Sequence, residues 1–216
     1  TIEGTEADDE ITGSVGNDTI SGLGGRDYIY GLAGNDVIHG GEGDDYIDGG
    51  AGADSLHGDA GHDYITSSSR DSLLYGGSGN DTLTGGGAQY GGAGDDTLYW
   101  AAAMFGEYGD DTFHLLSGTS ATGGAGHDRF ILPTQPSGGQ EPAVIQDFEL
   151  NVDKLDASEL LRLAFGYQGG NPFEVGFMQL AQDNDDTLIQ ALANGGDHGG
   201  FQTIVRLVGI DMSDLS

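Results

Sequence analysis

The sequence predicts an all-β fold: a right-handed parallel β-roll of short strands, closed at its C-terminal end by a cap of mixed β-strands. Three observations support this. Aspartates recur every nine residues from Asp9 to Asp63, and around them the chain reads GGxGxDxUx, where U is apolar; clear copies are 40–48 and 123–131. The third observation is the U position itself, which is always aliphatic or aromatic: Ile11, Ile20, Ile29, Ile38, Ile47, Leu56, Ile65, Leu74, Leu83, Leu98, Phe113 and Phe130.

We number the nine places of each repeat from the first glycine, so that the aspartate stands at place six. Places seven to nine predict a short strand with only its middle side chain inward, and the six preceding places predict a half-turn. Two repeats then complete one coil of about 18 residues, with parallel strands stacked about 4.8 Å apart. Disordered acidic segments do not show a nine-residue period with glycines at fixed places.

Alternate repeats therefore place their aspartates on opposite edges of the roll. We expect a long edge of eight loops, carrying Asp9, Asp27, Asp45, Asp63, Asp81, Asp96, Asp111 and Asp128. The short edge should carry three loops, with Asp18, Asp36 and Asp54. The next repeat on the short edge has Ser72 in place of aspartate, and the shortened segments 85–90, 100–105 and 115–122 follow it.

The repeat pattern ends near Leu132, where the proline-rich segment 132–142 begins. We expect a strand at 144–148 and a short helix at 157–165 with Asp156 as its N-cap. Segments 177–182 and 187–193 predict a hairpin, and 201–210 predicts a closing strand. The chain should therefore divide into a roll, 1–131, and a capping region, 132–216, that is continuous with the roll and covers its last coil.

Charge and composition exclude several functions. The formal net charge is −30, from 36 acidic and 6 basic residues, and this opposes binding to nucleic acid or to an anionic membrane surface. Cysteine is absent, which excludes disulfides and thiolate chemistry. No run of 18 apolar residues predicts a transmembrane segment.

The repeat suits calcium, a hard cation that takes six to eight oxygen ligands. Glycine tolerates left-handed backbone and exposes carbonyl oxygens, and the aspartate adds a carboxylate. Besides the aspartates, the predicted site residues are Gly25, Gly34, Gly41, Gly43, Gly50, Gly52, Gly61, Gly77, Gly79, Gly92, Gly94, Gly109, Gly124 and Gly126. If two successive loops on one edge enclose one ion, the two edges hold about nine. We expect a chain that is disordered without calcium and folds with it; the alternative is that the aspartates only cap glycine-rich turns.

These nonads resemble the RTX, or hemolysin-type, calcium-binding repeats. Segment 144–160 also resembles the segment that closes the roll in serralysin-type proteases and mannuronan C5-epimerase R-modules. The matching residues are Ile145, Asp147, Phe148, Asp153, Leu155, Asp156 and Ser158, while Asn151 replaces the usual glycine. The resemblance implies export by a type I secretion machinery, an extracellular bacterial location, and folding outside the cell. We expect the chain to be the C-terminal part of a longer secreted protein.

No catalytic constellation is recognisable: HExxH and GxSxG are both absent. His62 and His127 stand at place five and predict solvated turn residues. His39 and His57 share place nine and should be neighbours one coil apart, either as a zinc pair or as ordinary strand residues.

Tyr28, Tyr46 and Tyr64 share place seven, with Tyr30 beside them. They predict an outward ladder, which either stacks the sugar rings of an acidic polysaccharide such as alginate or reflects β-propensity alone. The sequence therefore predicts a non-catalytic calcium-binding module, with a calcium-dependent polysaccharide-binding module as the alternative.

Overall fold

The computed structural model describes residues 1–134, 141–165, 172–174, 176–192 and 200–211. Parts of three predicted features lie outside these residues: 135–140 of the proline-rich segment, Ala193 of the hairpin, and 212–216 after the closing strand. Within the roll the strands are β1 Ile2–Glu3, β2 Glu10–Thr12, β3 Thr19–Gly24, β4 Tyr28–Tyr30, β5 Val37–Glu42, β6 Tyr46–Asp48, β7 Ser55–Ala60, β8 Tyr64–Ser67, β9 Leu73–Ser78, β10 Thr82–Gly85, β11 Ala88–Ala93, β12 Thr97–Tyr99, β13 Ala103–Tyr108, β14 Thr112–His114, β15 Ser120–Ala125 and β16 Arg129–Ile131.

The C-terminal elements are β17 Ala143–Ile145, β18 Lys154–Asp156, α1 Ser158–Phe165, β19 Met178–Asp183, β20 Asp186–Leu192 and β21 Phe201–Leu207. The predicted helix and hairpin are confirmed. The strand predicted at 144–148 is shorter and ends at Ile145. Asp156 Oδ1 accepts the backbone N–H of Ser158 at 2.8 Å, which is the contact expected of an N-cap residue.

The strands of the roll form two sheets with parallel pairing, as the alternation of repeats predicts. The first sheet, called sheet A, has the order β1-β3-β5-β7-β9-β11-β13-β15-β17-β21-β20-β19 among the described strands. The second, called sheet B, runs β18-β16-β14-β12-β10-β8-β6-β4-β2. Pairing follows the coil: Ile20 lies beside Ile38, and Ile38 beside Leu56. The parallel β-roll is therefore confirmed.

Coils become shorter where the short-edge loops are lost. β10 and β11 are separated by two residues, Gly86 and Gly87, whereas a full half-turn separates β2 from β3. The shortened coil brings Gln89 to an inward position with no exposed surface. Its Nε2 donates to the carbonyl oxygens of Gly85 and Tyr99, at 2.7 and 2.9 Å, so the amide bridges the two sheets.

Over the residues that the structure describes, the apolar interior consists of two clusters. The first is the row of place-eight side chains from Ile11 to Leu83, nearly all with no exposed surface. The second runs from Leu98 to Leu207 and joins the last coils of the roll to the C-terminal strands. Phe113 and Phe130 stack within it, with ring centroids 4.9 Å apart. The core thus becomes bulkier where short-edge loops are missing.

The cap extends sheet A rather than forming a separate layer. β21 pairs in parallel with β17, and β20 and β19 follow in antiparallel order. Asn184 occupies the hairpin turn with φ of 58°, a conformation that asparagine tolerates. No helix in the described part of the chain is long and apolar enough to cross a membrane.

Candidate metal centre

The place-six aspartates form two hydrogen-bonded ladders along the two edges of the roll. The backbone N–H of Asp27 donates to Oδ1 of Asp45 at 2.8 Å, and Asp45 donates in the same way to Asp63. The pattern runs through every predicted long-edge aspartate, from Asp9 to Asp128, at 2.7–3.0 Å. On the short edge it joins Asp18, Asp36 and Asp54. Apart from Asp9 and Asp18, which begin the two ladders, each carboxylate thus uses one oxygen to bind the backbone of the preceding coil.

The second carboxylate oxygen has no partner in most of these residues. Oδ2 is buried and unpartnered in Asp27, Asp36, Asp45, Asp63, Asp81, Asp96 and Asp111, considering the described residues. Burying an ionised carboxylate oxygen without compensation costs several kcal/mol, as an order of magnitude. Burial is also the main reason why the pKa of Asp45 is raised to about 6, those of Asp63 and Asp111 to about 7, and that of Asp96 to about 8.

Each orphaned oxygen faces the place-one glycine of its own loop. A Cβ built on Gly31 would lie 2.6 Å from Asp36 Oδ2 and 2.7 Å from the carbonyl oxygen of Gly49 in the next coil. The same two oxygens crowd the place-one glycine in six other loops: Gly22, Gly40, Gly58, Gly76, Gly91 and Gly106. These place-one glycines were not among the predicted metal-site residues, which stand at places two, four and six.

The donor set therefore fits calcium. Carboxylate and carbonyl oxygens converge on one small space, and oxygen-only surroundings suit a hard divalent cation rather than a softer one. A cation at this point supplies the partner that Oδ2 lacks. It also neutralises the stacked charges whose repulsion contributes to the raised pKa values.

All fourteen glycines predicted at places two and four have left-handed φ values, from 79° at Gly50 to 150° at Gly126. A Cβ on Gly34 would lie 2.7 Å from the carbonyl oxygen of Gly16, one coil away. Glycine is thus required there both by backbone conformation and by the close approach of the next loop.

At the N-terminal start of each ladder, the aspartate Oδ2 accepts hydrogen bonds from its own loop. Oδ2 of Asp9 accepts the N–H and hydroxyl of Thr5, at 2.6 and 2.8 Å. Oδ2 of Asp18 does the same with Ser14, whose backbone N–H and hydroxyl lower the pKa of Asp18. The first loop of each edge therefore supplies internally the hydrogen bonds that the middle loops lack.

The long edge has one loop more than predicted. Asp128 N–H donates to Oδ1 of Asp153 at 3.1 Å, and β18 pairs with β16 one coil away. Residues 148–156 thus form a ninth loop, with Asn151 at place four and φ of 63°. Oδ2 of Asp153 accepts the Glu149 N–H at 2.7 Å, so the last aspartate of the long edge, like the first, is hydrogen-bonded within its own loop. The glycine-rich repeat ends near Leu132, but the aspartate ladder continues for one more loop, which lacks every glycine of the motif.

On the short edge, Ser72 makes the hydrogen bond that an aspartate makes in the other coils, but it carries no negative charge. Its Oγ lies 3.0 Å from the Asp54 N–H, where Oδ1 stands in the other coils, and accepts that hydrogen bond. Ser67 fills place one and donates to the same hydroxyl at 2.9 Å. The ladder of negative charge therefore ends at Asp54, as predicted.

Rings stack in columns on the outer faces of both sheets. Tyr46 lies between Tyr28 and Tyr64, with ring centroids 6.0 and 5.4 Å away, and Tyr30 is 5.9 Å from Tyr46. This confirms the predicted tyrosine ladder. On sheet A a second column runs through His39, His57, Tyr75, Tyr90 and Phe105 at 4.4–5.0 Å. The stacking of His39 on His57 confirms their predicted neighbourhood, whereas Tyr90 and Phe105 were missed because they need the register of the shortened coils.

Comparisons with known proteins give one matching family model and several similar solved structures. The family model described as the RTX calcium-binding nonapeptide repeat matches residues 3–38, 22–56, 30–65, 57–88 and 90–99. A solution structure of a subunit of the Azotobacter vinelandii mannuronan C5-epimerase shares 23% identity, with 95% of this chain and 73% of that one covered, at a TM-score of 0.23. An extracellular lipase from Serratia marcescens shares 18%, covering 96% of this chain and 39% of the lipase, at a TM-score of 0.22. No curated protein matches the chain.

The nonapeptide spacing, the coil geometry and the family match agree with one another. Residues 3–88 and 90–99 match the RTX calcium-binding nonapeptide repeat, and the described part of the chain folds as a parallel β-roll.

Proposed function

We propose that this chain is a non-catalytic module of a secreted bacterial protein and that it folds when calcium fills the two aspartate ladders. The observation that carries the proposal is the set of buried Oδ2 atoms without partners. The proposed ligands are the place-six aspartates of both edges, together with backbone carbonyl oxygens of the glycine loops. We propose about nine ions, one for each gap between successive predicted loops.

Charge and energy support a folding role for the ion. Nine dications reduce the formal net charge from −30 to about −12 and thereby weaken the repulsion that opposes compaction. At 1 mM calcium and a dissociation constant of about 0.1 mM, each site contributes about 1.4 kcal/mol. Nine independent sites then contribute about 13 kcal/mol, which is comparable to the stability of a whole domain.

The test compares strand content and bound metal under two conditions. Circular dichroism should show a disordered chain in chelator and β-structure in millimolar calcium, with magnesium at equal ionic strength as the control. Elemental analysis after gel filtration should then give about nine calcium ions per chain. Equal strand content in chelator and in calcium refutes the folding role, and fewer than five ions refutes ligation along the whole ladder.

Secretion is the finer part of the same proposal. We propose export by a type I machinery in the unfolded, calcium-free state, with 132–216 acting as the capping and secretion region and the extracellular space as the destination. In cells that carry such an exporter, a fusion to residues 132–216 should reach the medium, and the same fusion without them should not. Retention of both fusions contradicts the secretion role and leaves the folding role untouched.

A second candidate function is calcium-dependent binding of an acidic polysaccharide, favoured by the tyrosine ladder on sheet B. Tyr28 and Tyr64 are 42% and 40% exposed. The rings stack on one another, however, so a polymer meets mainly ring edges rather than the faces that stack sugars best. Affinity electrophoresis in alginate should show retardation that Tyr46→Ala abolishes and Tyr108→Ala does not, since Tyr108 is exposed outside the ladder. Equal mobility with and without alginate rules this function out.

A further inference from the structure

Two imidazoles and one carboxylate meet on the outer face of sheet A, away from the inward-facing Oδ2 atoms. His39 and His57 are register partners on β5 and β7, and their rings stack with centroids 4.4 Å apart and planes 10° from parallel. Asp59 Oδ2 lies 2.9 Å from His39 Nδ1. One ligand atom from each of the three side chains lies within 4.8 Å of the other two.

The second imidazole is held in place from two sides. Tyr75 stacks on His57, with ring centroids 4.6 Å apart and planes 6° from parallel. Ser55 Oγ forms a hydrogen bond with His57 Nε2 at 2.9 Å. Among the described contacts this leaves Nδ1 of His57 without a hydrogen-bond partner. A hydrogen bond on one ring nitrogen that orients the other toward an ion is the usual arrangement of metal-binding histidines.

Asp59 stands where the repeat normally has glycine. It occupies place two, pairs with Gly41 and Gly77 in the neighbouring coils, and has a φ of 74°. Aspartate enters this conformation less readily than glycine does. The fold itself therefore does not require a carboxylate at this position, yet the carboxylate reaches the histidine of the preceding coil.

An ordinary surface ion pair explains only part of this cluster. His39 and Asp59 are 43% and 42% exposed in their side chains, and such pairs contribute about 0–1 kcal/mol. The pair leaves the second imidazole without a role, and two imidazolium ions stacked face to face repel each other. A divalent ion attracts both neutral rings and the carboxylate.

We propose that His39, His57 and Asp59 bind one divalent transition-metal ion, with Zn²⁺ as the representative case. Two imidazole nitrogens and one carboxylate oxygen suit zinc, copper or nickel, whereas calcium prefers oxygen alone. Three protein ligands leave a fourth tetrahedral position for water. Zinc–ligand distances of about 2.0–2.2 Å require these partly exposed side chains to close together by about 1 Å, a movement that rotation about their χ angles supplies.

The experiment titrates the full chain with ZnCl₂ while millimolar CaCl₂ keeps the aspartate ladders filled. Calorimetry should show one saturable zinc site. His57→Gln and Asp59→Asn should each weaken binding by about tenfold or more, because each removes one of three ligands. His114→Gln is the matched control: His114 is also a half-buried place-nine histidine stacked on an aromatic ring, Tyr99, 4.0 Å away. It should leave the zinc affinity unchanged within about twofold.

Imidazole resonances of the wild-type chain give a readout that does not depend on whether a variant folds. Zinc should shift the ring signals of His39 and His57, and leave those of His62, His114 and His127 in place. Absence of saturable binding overturns the proposal. So do equal losses of affinity in His57→Gln and His114→Gln, or zinc-induced shifts spread evenly over these histidines.

Discussion

Asp44 and Asp45 are neighbours in one loop with opposite expected roles, which makes them a matched pair for testing the ladder. Asp45 stands at place six, is 3% exposed, and has an unpartnered Oδ2. Asp44 stands at place five, where its Oδ1 accepts the His62 N–H at 2.9 Å. Asparagine already makes this place-five bond elsewhere, since Asn17 Oδ1 accepts the Asn35 N–H at 2.8 Å. Asp44→Asn therefore preserves a native contact.

Asp45→Asn should weaken calcium binding and leave the hydrogen bond to the preceding coil intact. The amide oxygen can still accept the Asp27 N–H, now at 2.8 Å, but an NH₂ group replaces Oδ2 and points a donor at the cation. Losing one site with a dissociation constant of about 0.1 mM lowers the free energy of unfolding by about 1.4 kcal/mol at 1 mM calcium and by about 2.7 kcal/mol at 10 mM. Asp44→Asn should change it by less than about 0.5 kcal/mol at both concentrations.

Urea denaturation followed by circular dichroism, at 1 and 10 mM CaCl₂ and constant ionic strength, measures both quantities. The signature is a difference between wild type and Asp45→Asn that grows with calcium concentration. A difference that stays constant between the two concentrations refutes ligation by Asp45. Equal effects of the two substitutions show that the charge of the loop, rather than the position of the carboxylate, determines stability.

Two further predictions concern protons and glycine. Burial raises the pKa of Asp63 from the ordinary value near 3.8 to about 7, and that of Asp96 to about 8. Protonation of these groups therefore stabilises the calcium-free roll, and this stability is lost as pH rises from about 4 to about 8. Strand content in chelator should increase between pH 8 and pH 5, and a flat profile contradicts this. Gly34→Ala should cost about 3 kcal/mol or more, since φ is 129° and the new Cβ meets the Gly16 carbonyl oxygen at 2.7 Å. Gly16→Ala is the control, because its Cβ would have only Ser14 Oγ nearby, at 3.9 Å. It should leave the free energy of unfolding in urea nearly unchanged. Equal losses for the two substitutions would show that the contact between Gly34 and the Gly16 carbonyl does not determine stability.

The repeated part of the fold was predictable because the period is strict. An inward side chain at every place eight and a carboxylate at every place six follow directly from a coil of about 18 residues. The register of Ile38 between Ile20 and Leu56 confirms this. The left-handed glycines and the break at Ser72 were predictable for the same reason.

What escaped prediction depends on contacts between coils that no longer obey the period. The ninth long-edge loop contains no motif glycine, although Asn151 followed two residues later by Asp153 kept the spacing of places four and six. Gln89 becomes a core residue only because the coil is shortened. Asp59 contacts His39, which lies 20 residues earlier in the sequence, from place two, where the repeat normally has glycine.

The two apolar clusters divide the molecule into regions stabilised by different forces. From Leu98 onward, the last coils share a broad interior with the cap, and they carry one aspartate ladder instead of two. The coils from Ile11 to Leu83 have a single row of apolar side chains, and those up to Asp54 carry a double row of charge. As calcium falls, the N-terminal coils should therefore open first and unwinding should proceed toward the cap. The number of closed coils should then decrease gradually as the calcium concentration falls.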